Sequence, residues 1–236
     1  VGEFSVRIEA STARFEVFDS TGASVLSSLA GAIEYRSVPT TAEMQFGQFK
    51  FTEASARWHH VARFGSVRIA DDVATFVLED DDGRAVGSGA IAEREEGDLE
   101  LRLEADERAS NRLAVSYACA EQEHFLGFGG QSFDVDHRGQ VVPIWVEEDG
   151  IGKDPTDEHD PTIWFLRGRR NSTHTSMPMY LSSRNLGVWL DTTSRSIFDM
   201  CADDSTRVRV EVWDPELVLR VFRGTSPIDV LARVSS

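Results

Sequence analysis

The chain has 236 residues, 41% of them hydrophobic, with 40 acids against 24 lysines and arginines and a formal net charge of −16. That length admits one large all-β domain or two smaller ones, and a chain of this size hides about 70% of its unfolded surface on folding. So acidic a balance excludes a nucleic-acid partner, because phosphate recognition needs clustered lysine and arginine. No apolar run approaches the roughly 20 residues of a membrane-spanning helix, so no membrane partner is expected.

Only Lys50 and Lys153 are lysines. An arginine-for-lysine bias on an acidic chain follows either from genomic base composition or from adaptation to salt. The chain opens without a basic-then-apolar leader, which predicts a cytoplasmic protein. It starts at Val1 and stops at Ser236 as a piece cut from something longer would. Cys119 and Cys201 each fall in a strand-like run, where a free thiol behaves as a small buried hydrophobe. Two free thiols are therefore expected rather than a disulfide.

In chain order, Phe4, Val6 and Ile8 alternate with polar residues, and Phe15 with Val17 repeats the period of two before the turn at Asp19-Ser20-Thr21-Gly22. Val38 to Gly47 shows no steady period and reads as a connection. Trp58, His60, Ala62 and Phe64 are assigned to one face of the next strand, and His59, Val61 and Arg63 to the other. The run Val73 to Leu78 ends at Asp80-Asp81-Asp82-Gly83, a hairpin turn rather than a calcium loop, since an EF-hand needs alternating acids, a glycine at six and a glutamate at twelve. Leu99, Leu101 and Leu103, then Leu113, Val115, Tyr117 and Cys119, read as half-buried antiparallel strands.

Phe125 to Lys153 reads FLGFGGQSFDVDHRGQVVPIWVEEDGIGK. Glycine in such density forfeits packing and marks bends or close approaches, so a shaped loop is expected here. Asp154 to Pro161 follows as a second loop, its two prolines forbidding helix interior and central strand. Thr175 to Leu190 reads as two strands joined at residues 183–187. Val208, Val210 and Val212 form a strand that Asp214-Pro215 turns back through Leu217, Leu219 and Val221. Ser226 as N-cap, Pro227 at the first position and Asp229 at capping-box spacing start a short helix whose apolar face is Ile228, Leu231 and Ala232. That face is expected to pack on something beyond Ser236. More than a dozen short strands and almost no helix predict a single large antiparallel β-sandwich.

The glycine-rich stretch also carries a resemblance. G-F-G-x-Q-x-F-D from Gly127, D-x-R-G from Asp136 and P-I-W-x-x-E-x-G-I-G from Pro143 resemble the end of the N-terminal sandwich domain of glycoside hydrolase family 31, the α-glucosidase, α-xylosidase and sulfoquinovosidase family. Met177 to Trp189 and Leu217 to Pro227 match in the same order. Gly130 stands where the family usually has an acid, and the run from Glu147 to Lys153 is closest to the sulfoquinovosidase-like branch.

The resemblance implies a galactose-mutarotase-like supersandwich spanning 1–236, needing neither cofactor nor metal. In the family the catalytic carboxylates, about 5 Å apart in retaining glycosidases, belong to a following (β/α)8 barrel. This chain is then not catalytic alone, and Trp189-Leu190-Asp191, with Arg195 where an acid would stand, is structural. Its partners would be its own barrel and an α-glycoside substrate. The part implied for it is a loop over the barrel's mouth, with Glu148 and Asp149 accepting bonds from sugar hydroxyls and Trp145 offering an apolar platform or packing as core. Asp134, Asp136 and Arg138 would fix that loop as an ion-pair cluster. His59, His60 and His174 have no partner spacing for a site, and the acids of 154–161 with His159 match no standard metal site. Two rivals stand beside this reading: a free-standing carbohydrate-binding sandwich and a mutarotase-like enzyme, the latter needing a facing His and Glu.

Thermal melts decide the origin of the lysine-poor surface. Stability that rises from low to molar salt marks salt adaptation, and indifference marks base composition.

Overall fold

The computed structural model describes residues 3–94, 97–106, 110–149, 153, 164–166 and 168–235. The loop expected at Asp154 to Pro161 and the glycines at 150 and 152 lie outside them. The first third of the chain supplies β1 (Phe4–Glu9), β2 (Arg14–Asp19), β3 (Ser24–Arg36), β4 (Thr40–Gln45), β5 (Gln48–Glu53), β6 (His59–His60), β7 (Arg63–Ala70) and β8 (Val73–Glu79). The middle gives β9 (Ala85–Glu93), β10 (Leu99–Ala105), β11 (Arg112–Ala118), β12 (Phe125–Gly129) and β13 (Gln140–Ile144). Last come β14 (Ser176–Ser182), β15 (Leu186–Leu190), β16 (Ser196–Met200), β17 (Arg207–Val212), β18 (Glu216–Arg223) and the helix α1 (Pro227–Val234).

Two eight-stranded sheets face each other. The first runs β1-β2-β3-β11-β17-β16-β13, with β6 on β3, and the second runs β12-β14-β15-β18-β10-β9-β8-β7. Their ladders are antiparallel, as the alternating sequence predicts. Leu101, Leu103, Leu113, Val115, Val210, Leu217 and Leu219 meet in the core between them. A hydroxyl contact bridges the layers, the Tyr117 and Tyr180 oxygens lying 2.6 Å apart and buried. Burial raises both phenols above their ordinary value, so they stay neutral.

β17 and β18 are not the hairpin that the alternation suggests. They belong to opposite sheets, and the turn at Asp214-Pro215 carries the chain across the sandwich, where the Asp214 carboxylate accepts from the Glu216 N–H at 3.0 Å.

The largest departure from expectation is residues 38–47. Instead of a connection, β4 pairs with β5 from Thr40↔Glu53 to Gln45↔Gln48. β4 is exposed along nearly its whole length, so no apolar alternation marks it. This hairpin meets the outside of the first sheet at the Arg112 end of β11, and β11 is buried on both faces rather than half-buried. Arginines stacked on tryptophans lie beside it, and Phe51 and Glu53 tie it to them. The Arg36 and Arg209 guanidinium carbons stand 4.4 and 4.5 Å from the Trp58 ring, and those of Arg112 and Arg195 stand 4.0 and 4.1 Å from Trp213. Phe51 meets Trp213 edge-on at 5.1 Å, and Glu53 accepts from Arg36 at 2.9 Å and Arg112 at 3.3 Å.

Residues 58–64 also differ from a single strand. A break between β6 and β7 turns both Val61 and Phe64 inward, at 1% and 4% exposure. In α1, Ser226 caps as predicted, its hydroxyl accepting from the Asp229 N–H at 3.2 Å, but the side chain that docks is Val230. It seats over Gly187, where an added Cβ would come within 2.6 Å of Val230 Cγ1. Ile228 and Leu231 face outward, 79% and 47% exposed.

Cys119 and Cys201 are a disulfide, not free thiols. The residues follow β11 and β16, which flank β17, and this places their Cα atoms 6.7 Å apart despite a sequence separation of 82. A bridge closing a loop of that length constrains the unfolded chain by roughly 4 kcal/mol. Replacing both cysteines by alanine is therefore expected to lower Tm by roughly 10 °C. Calorimetric melts of the variant, and of wild type with and without reductant, check this, and an unchanged Tm would contradict it.

Candidate functional site

The glycine-rich stretch is a shaped loop between β12 and β13 that continues into a second loop beyond β13. At its start Gly129 sits at φ +84°, and a Cβ there would lie 1.8 Å from the Thr175 carbonyl oxygen, so the chain passes where only glycine fits. Asp134, Asp136 and Arg138 each fix the loop, but not as one ion-pair cluster. Asp134 pairs with Arg170. Asp136 accepts from the Phe125 N–H at 3.0 Å, the Arg138 N–H at 3.1 Å and the His124 ring at 2.6 Å. Burial alone would raise this carboxyl, but those bonds outweigh it and hold it below its ordinary value. The Arg138 guanidinium turns away from both acids. It donates to the carbonyls of Ala120, Glu123 and Ser205 at 2.9, 3.0 and 3.0 Å and lies 2.9 Å from Cys119 Sγ.

Next to Asp136 in this loop, His137 is 1% exposed and packed edge-on to Phe128 with ring centroids 5.2 Å apart. Its Nδ1 is buried without a hydrogen-bond partner among the described residues. Burial pushes the imidazole below its ordinary value, although Gln140, Asp134 and Asp136 act in the opposite sense and Arg170 reinforces the fall.

The three acids after β13 divide. Glu147 points inward at 8% exposure, its N–H donating to the Thr173 carbonyl at 3.1 Å. Burial raises its carboxyl, partly offset by Arg169 and Arg195, while burial lowers Arg195 itself to about 10. Glu148 and Asp149 point out, their side chains 59% and 43% exposed. His174 joins them, with Nε2 3.6 Å from Glu148 Oε2 and Nδ1 3.3 Å from Asp149 Oδ2. Lys153 Nζ lies 3.2 Å from Asp149 Oδ1 and also donates to the Ser172 carbonyl. Nothing in the sequence announces the contact of His174, which sits 26 and 25 positions from the acids it meets.

The β4–β5 hairpin completes the group. The Glu148 N–H donates to the Gly47 carbonyl at 3.0 Å, and the Gln48 amide donates back to the Glu148 carbonyl. Phe46 and Gly47, at φ +50° and +78°, form a two-residue turn with both central residues left-handed, the combination that favours Asn-Gly. A phenylalanine there costs roughly 1–2 kcal/mol. A Cβ on Gly47 would stand 2.4 Å from Glu148 Cγ. Trp145 is held below, edge-on to Phe49 and Phe51 at 5.8 and 5.9 Å, with its Nε1 buried and without a partner among the described residues.

The Trp189-Leu190-Asp191 string lies at the end of β15, with Leu190 fully buried. It borders an open cleft of about 700 Å³ that also holds Asp214 and Glu216 but not Glu148. Asp214 accepts from Ser194 Oγ at 2.7 Å and Glu216 pairs with Arg102, so these two acids are engaged in the fold. The exposed acids with a ring between them can accept hydrogen bonds from a polyol. They hold no nucleophile poised by a base.

The layering and antiparallel topology together define a galactose-mutarotase-like supersandwich. Residues 4–199 match the family described as the glycosyl hydrolase 31 N-terminal galactose mutarotase-like domain, and the chain belongs to that family. It is 30% identical over 138 residues to a sulfoquinovosidase of Agrobacterium fabrum, covering 57% of this chain and 20% of that protein. To a sulfoquinovosidase of Escherichia coli it is 23% identical over 152 residues, 62% of this chain and 22% of the relative. The solved structure of a GH31 family sulfoquinovosidase from E. rectale, in complex with the aza-sugar inhibitor IFGSQ, superposes with a TM-score of 0.82 at 19% identity, over 98% of this chain and 34% of that one. The chain thus spans about a fifth of the length of the curated relatives and a third of the solved one.

Because the folded His137 binds its proton less readily than the unfolded imidazole, its contribution is complete above about pH 6.5 and is lost as pH falls below that value toward the depressed one. Wild type is expected to lose stability more steeply between pH 7 and 5 than His137→Gln. Parallel melts across that range give the comparison, and parallel slopes would show that the buried ring does not titrate with unfolding.

Proposed function

We propose that this chain is the non-catalytic N-terminal domain of a retaining α-glycoside hydrolase, bracing a catalytic barrel and lending a flap to the substrate entrance. The observation that carries the reading is the pairing of exposed Glu148 and Asp149 with His174, on a loop bonded to the tip of the β4–β5 hairpin. Carboxylates that must take up vicinal hydroxyls work best when held in place beforehand. Here the hairpin tip holds one of them, the Gly47 carbonyl accepting from the Glu148 N–H and the Gln48 side-chain amide donating to the Glu148 carbonyl. Membership of the family supports the barrel as partner, and α-glycosides follow as the substrate class. The names of the sulfoquinovosidase relatives make α-sulfoquinovosides the first to assay.

In the full-length enzyme, Glu148→Ala removes a charged acceptor but leaves the reacting carboxylates in place. A rise in KM of about tenfold with kcat retained is expected, the effect of losing one hydrogen bond of ~1.4 kcal/mol. Steady-state kinetics over a panel of α-glycosides measure this. Unchanged constants on every substrate would take the flap out of the site. Measurable sugar affinity of the isolated chain by calorimetry would instead favour the free-standing carbohydrate-binding module.

A further inference from the structure

The hairpin tip contains a residue that turn chemistry does not explain. Phe46 occupies the first central position of a turn in which both residues are left-handed, a place suited to Asn, Asp or Gly. The residue is 70% exposed, and Met44, two residues earlier near the end of β4, is 63% exposed. A bulky apolar side chain that is backbone-strained and also turned to solvent gains little from burial, and such outliers concentrate at ligand contacts.

Two further rings lie beside the Phe46 ring. Phe165 lies 5.8 Å from it, tilted by 42°, and Trp164 meets Phe165 edge-on at 5.9 Å. On the other side the next residue, Gly47, is bonded to the Glu148 N–H at 3.0 Å and has no room for a side chain against Glu148. The ring is therefore held one residue from the acid, whereas Trp145 is already committed to Phe49 and Phe51. An apolar ledge beside an exposed carboxylate suits a molecule with a hydroxylated half and an apolar half.

We propose that Phe46, with Phe165 beside it, is a specificity-determining residue that receives an aromatic or apolar leaving group while Glu148 takes the adjoining hydroxyls. The inference rests on the entrance reading above and deepens it. It assigns the selective contact to the β4–β5 hairpin rather than to Trp145.

Phe46→Asn separates this role from a packing role, because asparagine suits the turn better than phenylalanine and deletes only the ring. In the full-length enzyme, kcat/KM is measured with the 4-nitrophenyl and methyl α-glycosides of the sugar that wild type cleaves, alongside Phe46→Trp and Glu148→Ala. The aryl-to-methyl ratio of kcat/KM is expected to fall about fivefold in Phe46→Asn and to be kept in Phe46→Trp, with Tm of Phe46→Asn equal to or above that of wild type. An aryl-to-methyl ratio unchanged in Phe46→Asn, while Glu148→Ala weakens both substrates, overturns the ledge and leaves the entrance reading standing. If Glu148→Ala also changes neither substrate, the entrance reading falls with it.

Discussion

The ring contacts of Phe49 and Phe51 with Trp145 and Trp213, across the outside of the first sheet, are what the β4–β5 hairpin depends on. A two-stranded hairpin has little stability of its own in water, and β4–β5 pairs with neither large sheet. It is held by Phe51 against Trp213, by Trp145 against Phe49 and Phe51, and by Glu53 against Arg36 and Arg112. Only with the hairpin fixed in this way can its tip present Gly47 and Gln48 to the backbone of Glu148. The position of the Glu148 backbone thus depends on packing at the far end of the hairpin.

This arrangement also bears on the scarcity of lysine. Arg36, Arg112, Arg195, Arg209 and Arg220 each lie over an aromatic ring. A planar guanidinium stacks and donates in its plane at once, which an ammonium cannot do. Arg36, Arg112, Arg209 and Arg220 also donate to carboxylates, a double contact that a lysine would not reproduce, whatever base composition or salt adds elsewhere. The same holds for the pair of Arg220 with fully buried Asp98, at 2.6 and 3.0 Å, where two parallel bonds satisfy a carboxylate removed from water.

Strands with one wet face were legible in the sequence. In β10 the alternation of Leu99, Leu101 and Leu103 with charged residues is the alternation of core and surface. Where a third layer intervenes the period disappears. β4 is exposed nearly throughout and shows no pattern, whereas β11 is covered on both faces and shows an ambiguous one. Contacts across long separations left no local trace either, which is why the cysteine pairing and the approach of His174 to Glu148 emerge only in three dimensions. The hairpin tip did leave a signal, since Phe46-Gly47 joins two six-residue strands and a glycine at the second of two loop positions marks such a turn. The glycine-rich loop was legible as a loop, but the separate partners of Asp134, Asp136 and Arg138 were not, because adjacent charges need not share a neighbour.

The hydroxyl bridge between Tyr117 and Tyr180 has an optical consequence. The chain has three tyrosines, and two of them span the dry space between the sheets, where a phenolate would have no solvent. An unfolded tyrosine ionises near pH 10, so alkali favours the opened chain over the closed sandwich. Phenolate absorbance from this pair can then appear only as the two layers part, which gives the domain a built-in indicator dye for its own opening.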